Sequence, residues 1–333
     1  MSTDSDWFQN LSTAEVASIV RERGPKTAVF AAGGTTRWFI LNYLESWPVD
    51  MSYWEGYLRH AGEQFLRIAQ MFFDHGVHTL FTHAIVPGQL EGGKGKGYTA
   101  LALTSGMKTL AGNTEFLQFY EKHGVRVCFF GNYQEILEGS EHASTLDYFD
   151  QVAAQTRKND EHRLFWGFNT DADQVTPILE LAVQFYREHG RAPTRDDLIG
   201  LYYGQEEEPV APVDVYISFN KTRTAGLMPP MLEGQADLYF TVGLSYDFSE
   251  WQLRSILYDH LFARRGQHRD YRQLPSEAFP ELQRFYRLNR DGVIGLGQRY
   301  EAGAVWHPTP QVQIEEGSRL QDGGPEGKRG EGQ

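Results

Sequence analysis

The stretch Ala28-Val29-Phe30-Ala31-Ala32-Gly33-Gly34-Thr35-Thr36-Arg37-Trp38-Phe39 sets the reading of the chain. A short apolar run stops at two glycines. A hydroxyl pair, an arginine and an aromatic helix start follow. This is the pattern of a strand running into a loop that can bind an anion. Glycine lets the backbone approach a ligand closely. Threonine hydroxyls and the free N–H groups of a helix N-terminus donate to phosphate-type oxygens. The planar guanidinium of Arg37 suits the same oxygens. No carboxylate stands where a metal would need one.

Outward from this segment, short β-branched or aromatic runs alternate with longer helical patterns. Strands are predicted at Thr27–Ala31, Thr79–Val86, Val125–Phe130, Arg163–Phe168, Val213–Phe219 and Leu238–Val242. Several are apolar without alternation, as central parallel strands covered on both faces are. Ser52–His75 places Tyr57, Ala61, Phe65, Ile68 and Phe72 on one helical stripe. Further helices are predicted over Tyr98–His123, with a break at Gly112-Asn113, and over Leu146–Arg157, Gln174–His189 and Trp251–Ala263. Ser249-Glu250-Trp251-Gln252 reads as a capping box, and Thr194-Arg195-Asp196-Asp197 as a helix start of the same kind. The alternation predicts a single α/β domain whose mostly parallel central sheet of about six strands is flanked by helices. Ligands bind such sheets at the carboxyl ends of strands, which is where the Gly33–Arg37 loop falls. The expected division is an N-terminal extension over 1–15, a folded domain over 16–306 and a tail over 307–333. The tail is Gly-, Glu- and Gln-rich with almost no apolar residues, the composition of a disordered segment. No internal repeat is visible.

The chain has 333 residues, 41% of them hydrophobic, enough for a large packed core. Its many aromatics serve a core, and would also serve as walls around a cationic intermediate. A net charge of −13 argues against nucleic acid and anionic membrane surfaces as partners. The lone cysteine, Cys128, rules out an intrachain disulfide and a cysteine metal cluster, and suits a buried thiol. No run reaches the ~18 apolar residues of a membrane span. The acidic Met1–Asp6 segment has no signal core. A cytoplasmic protein is expected.

Other candidates are weighed residue by residue. Gly88-Gln89-Leu90-Glu91-Gly92-Gly93-Lys94-Gly95 approaches a Walker A loop, but Gly95 stands at the Ser/Thr position that magnesium needs. A flap over a phosphate-containing ligand is the other reading of this loop. The histidines lack zinc-site spacing. His83, inside an apolar strand, is either a hydrogen-bonded core residue or a proton acceptor at a strand end. Asp171 and Asp173, like Asp196 and Asp197, sit at helix starts and suit caps or dipole partners; Asp171 and Asp173 stay open as magnesium ligands. Lys221 and Arg223 follow a strand in Asn220-Lys221-Thr222-Arg223-Thr224, as a second anion loop or a solvated basic one.

The loop Gly33-Gly34-Thr35-Thr36-Arg37-Trp38 resembles the Asp-Gly-Asn-Gly-Arg-Trp loop of cis-prenyltransferases. The stretches Val16–Lys26, Met71–Gly76, Phe119–Gly131, Glu161–Leu164, Pro193–Tyr203, Leu238–Val242 and Ile256–His260 are similar to one branch of that superfamily. That branch holds the tuberculosinol synthases and tuberculosinyl adenosine transferases, with kolavelool-type diterpene synthases beside them. The likeness runs from Val16 to Trp306. It implies a cis-prenyltransferase fold, a homodimer, and ionisation of a bicyclic C20 allylic diphosphate supplied by a class II diterpene cyclase. It also implies capture of the cation by water, giving a diterpene alcohol, or by adenosine. Position by position, the resemblance gives Gly33, Gly34, Thr35, Thr36 and Arg37 to the diphosphate, with Lys221 and Arg223 from a degraded second anion loop. It places Tyr57 and Tyr98 near the reacting cation, and His83 is a further candidate base. Family members hold Mg2+ diphosphate with an aspartate where this chain has Gly33. Three consequences of that departure are open: cations stabilise the leaving group directly, Asp171 or Asp173 substitutes for the aspartate, or the chain is a non-catalytic prenyl-diphosphate-binding subunit.

Overall fold

The structure, a computed structural model, describes residues 5–43, 53–86, 105–138, 143–168, 173–205, 208–219, 221–224, 226–265, 271–300 and 305–310. Its centre is a six-stranded sheet of order β3-β4-β2-β1-β5-β6, with every neighbouring pair parallel. The strands are β1 Thr27–Ala31, β2 Thr79–Ile85, β3 Val125–Gly131, β4 His162–Phe168, β5 Val215–Phe219 and β6 Asp237–Thr241. All six were anticipated, to within two residues at each end. The continuous apolar runs have the reason expected of them. Ala28 and Phe30 of β1 enter the core on one face of the sheet, and Val29 and Ala31 enter the core on the other.

The N-terminal helices are α1 Asp6–Gln9, α2 Thr13–Arg23, α3 Thr35–Tyr43 and α4 Tyr53–Asp74. Helix α4 buries Tyr57, Phe65, Ile68, Ala69, Phe72 and Phe73 against the sheet, the stripe that its 3.6-residue period predicts. The break at Asn113 is real. One helix ends at Gly112, and the next, Thr114–Lys122, starts with the Asn113 side chain accepting from the Glu115 N–H. Both predicted caps form. Ser249 and Gln252 close a capping box on helix Glu250–Tyr258, and Thr194 and Asp197 close one on Arg195–Tyr203.

Residues 1–15, read from sequence as an extension, do not stand apart where they are described. Phe8 of α1 is fully buried among Tyr258 and Phe262, and α2 begins at Thr13, inside the expected extension. At the other end, Gly297–Tyr300 and Val305–Pro308 pair as an antiparallel hairpin, so Pro308 belongs to a strand and not to the tail. No helix among the described residues is long and apolar enough to cross a membrane.

Candidate active site

Strand β1 ends at the carboxyl edge of the sheet, and its loop opens on a cavity of about 630 Å³ between the sheet and α4. The loop is held from behind. The Gly33 N–H donates to Ser245 Oγ at 2.8 Å, and the Ser245 N–H donates to the Gly33 carbonyl at 3.3 Å. Gly34 has φ +69°, and a Cβ there would lie 2.8 Å from Leu244 and 2.9 Å from Phe219. Only glycine suits both that conformation and that space. Trp38 Nε1 donates to Asp247 Oδ1 at 2.8 Å. Arg67 of α4 donates to the carbonyls of Tyr246 and Phe248. The turn that braces the loop is thus fastened to α3 and α4.

Gly33, Gly34, Thr35, Thr36 and Arg37 all line this cavity, and so do Tyr57 and His83. The structure therefore gathers the first anion loop, one of the two tyrosines and the strand histidine at one place. Thr35 Oγ1 lies 2.8 Å from Tyr57 Oη, and either atom can donate. Burial raises the Tyr57 pKa above its ordinary value, and the Thr35 and Thr36 hydroxyls oppose that shift. Arg37 is exposed at the mouth. Tyr98 and the Gly88–Gly95 loop lie outside the described residues.

His83 differs from both sequence readings. Its ring nitrogens are buried without a hydrogen-bond partner. Its ring packs edge-on to Phe130, at 5.7 Å between centroids, and against the backbone of Gly167, which has no Cβ to hinder it. Burial pushes its pKa down to about 4, so the ring is neutral near pH 7. It is neither a hydrogen-bonded core histidine nor an imidazole with an open nitrogen.

Lys221 and Arg223 are exposed in the loop after β5 and are not among the cavity's lining residues. The Tyr216 hydroxyl donates to the Thr224 carbonyl, which ties that loop to the opposite face of the sheet. Asp173 is a helix cap. Its carboxylate accepts from the Val175 and Thr176 N–H groups and from the Thr176 hydroxyl, and these bonds lower its pKa. Asp171 lies outside the described residues.

The remaining walls were not singled out from sequence. Phe65, Phe116 and Trp166 meet at one end, with Phe65 and Trp166 centroids 4.3 Å apart. Met107, Phe168 and Tyr246 also belong to the lining. Tyr246 stands edge-on to Trp38 at 5.3 Å. Its only sequence signal is an aromatic placed just after the last strand of the sheet.

Gly33 itself offers magnesium no carboxylate. A Cβ there would sit 3.2 Å from the Phe219 Cβ and Cδ1, so the aromatic ring crowds the start of any carboxylate side chain. No Asp or Glu is among the described lining residues, and no group of three metal-ligating side chains occurs among the described residues. What the cavity offers is a cationic, hydroxyl-bearing mouth and an aromatic interior. That arrangement suits an amphiphile with an anionic head, and π faces suit a transient cation.

The tuberculosinyl adenosine transferase of Mycobacterium tuberculosis (strain CDC 1551 / Oshkosh) is 36% identical over 293 residues, 87% of this chain and 94% of its own. The chain belongs to that family. The (+)-kolavelool synthase of Herpetosiphon aurantiacus is 27% identical over 290 residues, 87% of this chain and 91% of its own. Among solved structures, the lavandulyl diphosphate synthase of Lavandula x intermedia, crystallised with dimethylallyl diphosphate, matches with TM-score 0.55 at 13% identity, covering 74% of this chain and 96% of its own. A probable undecaprenyl diphosphate synthase of Campylobacter jejuni matches with TM-score 0.50 at 14% identity, covering 73% of this chain and 96% of its own. These likenesses show the cis-prenyltransferase fold. No protein-family model matches the chain. Within the tuberculosinyl adenosine transferase family, then, this member places the carboxylate-free Gly33–Arg37 loop over an aromatic cavity.

Proposed function

We propose that the protein is a diterpene synthase. It ionises a bicyclic C20 allylic diphosphate of the halimadienyl or clerodane type, releases diphosphate, and lets water capture the cation to give a diterpene alcohol. The observation that carries this reading is a cavity in which the Gly33–Arg37 loop faces aromatic walls with no carboxylate among the described lining residues. Its volume of about 630 Å³ lies within the range of small-molecule sites, roughly 300–1,000 Å³. The names of the two relatives, a tuberculosinyl adenosine transferase and a (+)-kolavelool synthase, support this reading.

In this reading Arg37, the Thr35 and Thr36 hydroxyls and the backbone N–H groups at the start of α3 hold the diphosphate. Their fixed dipoles favour charge on the departing oxygen. Lys221 and Arg223 supply a weaker field from the neighbouring loop. Phe65, Phe116, Trp166 and Tyr57 shield the cation from bulk water and present π faces to it. Tyr98 is assigned the second phenol near the cation. No role falls to Mg2+ bound at Gly33. A class II cyclase that closes the two rings by protonation has to act first, and the protein works as a homodimer.

The 36% identity to an adenosine transferase keeps adenosine as the second acceptor. The test is incubation of purified protein with geranylgeranyl, halimadienyl and clerodane-type diphosphates, with and without magnesium and adenosine, followed by product analysis. A diterpene alcohol supports the proposal, and an adenosine adduct moves the assignment to transfer. Binding without turnover makes the chain an accessory subunit.

A further inference from the structure

A glycine in a helix interior destabilises the helix relative to alanine, because it loses more backbone freedom on folding. Gly62 occupies such a place in the 22-residue α4, and it lines the cavity. Tyr57, which meets Thr35 at the loop, lies before it on the helix. Phe65, which meets Trp166 at the aromatic end, lies after it. The Phe116 ring takes the room that a side chain at Gly62 would fill. A Cβ there would lie 3.3 Å from the ring's Cε2 and 3.7 Å from its Cζ. Other rings enclose Phe116. Phe65 lies parallel to it at 6.4 Å, Trp166 is tilted at 6.4 Å and Tyr120 stands edge-on at 6.1 Å between centroids. Tyr120 is itself tethered: its hydroxyl donates to the Leu110 carbonyl at 2.8 Å and accepts from Trp166 Nε1 at 3.4 Å. The room left to Phe116 is the cavity that it lines.

We infer that Gly62 is a specificity-determining residue: by leaving Phe116 seated against bare backbone, it keeps the cavity wide enough for fused rings, and so selects a bicyclic C20 diphosphate over an acyclic one. This inference rests on the cavity being the diphosphate site of the proposed function. With the diphosphate at the Gly33–Arg37 loop, the narrow allylic chain passes Tyr57, and the rings lie deeper, level with Gly62 and Phe65. An acyclic chain is narrow throughout and bends around an obstruction by rotating single bonds. A fused bicycle is wide and rigid, so it registers any side chain displaced into its place. Interiors are packed densely enough for one methylene to be felt. In an apolar pocket that difference is worth about tenfold or more in discrimination.

The test measures calorimetric binding of two non-ionising thiolodiphosphates, one carrying a halimadienyl-type bicycle and the other the acyclic geranylgeranyl chain. The readout is the ratio of their dissociation constants, which does not depend on turnover. The unaltered protein is expected to favour the bicycle by about tenfold. Gly62→Ala is expected to weaken the bicycle by about fivefold or more and to leave the acyclic analogue within about twofold of the parent. Alanine favours the helix over glycine, and thermal unfolding confirms that the variant is folded. Gly62→Ala combined with Phe116→Leu returns nearly the parent side-chain volume and is expected to restore the preference. A parent that binds both analogues equally, an equal loss of both in Gly62→Ala, no loss of either, or a double variant that stays unselective overturns the inference and leaves the diphosphate reading in place. Binding of neither analogue by the parent overturns the diphosphate reading, and the inference with it.

Discussion

Two loops leave the carboxyl edge of the neighbouring strands β1 and β5, and both carry threonines and cations. In composition they are near equals. In structure they are not. The β1 loop is tied to Ser245, packed on Phe219 and Leu244, and joined to α4 through Thr35 and Tyr57. The β5 loop holds Lys221 and Arg223 out to solvent, off the lining of the cavity. Charge and hydroxyls attract an anion in either place. The braced loop keeps its Thr35 and Thr36 hydroxyls half-buried on the cavity wall, where each hydrogen bond acts in a lower dielectric.

The sharpest way to break that contrast is to remove one cation from each loop. Arg37→Ala is expected to lower kcat/KM by about 10²–10³-fold, as loss of one preorganised donor does. Lys221→Ala and Arg223→Ala are each expected to stay within about tenfold of the parent, because these charges lie off the cavity lining and act through screening solvent. Steady-state kinetics on the substrate found active decides it. Equal losses in the two loops would erase the distinction.

Next in size is a pH effect beneath the braced loop. The folded-state pKa of His83 is about 4, below the ordinary 6.5. The unfolded chain therefore binds a proton that the folded chain refuses. Stability from this residue is complete above about pH 6.5 and is lost as pH falls toward 4, with a full size of about 3 kcal/mol. His83→Leu should shrink the drop in urea midpoint between pH 7 and pH 4.5 relative to the parent. A parallel drop in both proteins would show that the ring is hydrated and that this side of the cavity is not sealed.

Gly34→Ala tests the brace itself. A methyl group there meets Leu244 and Phe219 and imposes a left-handed backbone on alanine. Destabilisation of about 1–3 kcal/mol is expected by denaturant titration. Gly226 of the solvent-facing loop also has positive φ but has nothing within 4 Å of its Cβ position, so Gly226→Ala should cost less. The smallest expected effect is that of metal removal. Calorimetric affinity for inorganic pyrophosphate should change less than about threefold on adding EDTA, since the braced loop offers magnesium no carboxylate. A steep loss with EDTA would mean that ligands outside the described residues complete a metal site.

Much of this molecule could be read directly from the chain. The six strands, the long α4 stripe, the break at Asn113 and the caps at Thr194 and Ser249 all follow from local periodicity and hydrogen-bonding habit. The Gly33–Arg37 loop stood out for the same reason, since glycine, hydroxyls and arginine stand together in five consecutive positions. Tyr57 came from the resemblance and from its place on the α4 stripe. Tyr246 and Trp166 were not singled out, because an aromatic residue bound for a cavity has the same sequence signature as one bound for the core. His83 was noticed on its strand. The strand position was visible, while the sealing of both nitrogens depends on Gly167 and Phe130 from other strands.

The chain by itself determined the alternation of strand and helix, the place of the Gly33–Arg37 loop and the absence of a carboxylate at Gly33. These depend on residues close together in sequence, where backbone propensity and side-chain period act. The tertiary structure alone decided which of two similar loops faces a cavity, that Phe219 crowds the place of the missing carboxylate, and that Thr35 meets Tyr57. Those contacts join residues as far apart as Gly33 and Ser245, 212 positions along the chain. No local pattern encodes such a meeting. It exists only once the parallel sheet has brought the ends of its strands to one edge.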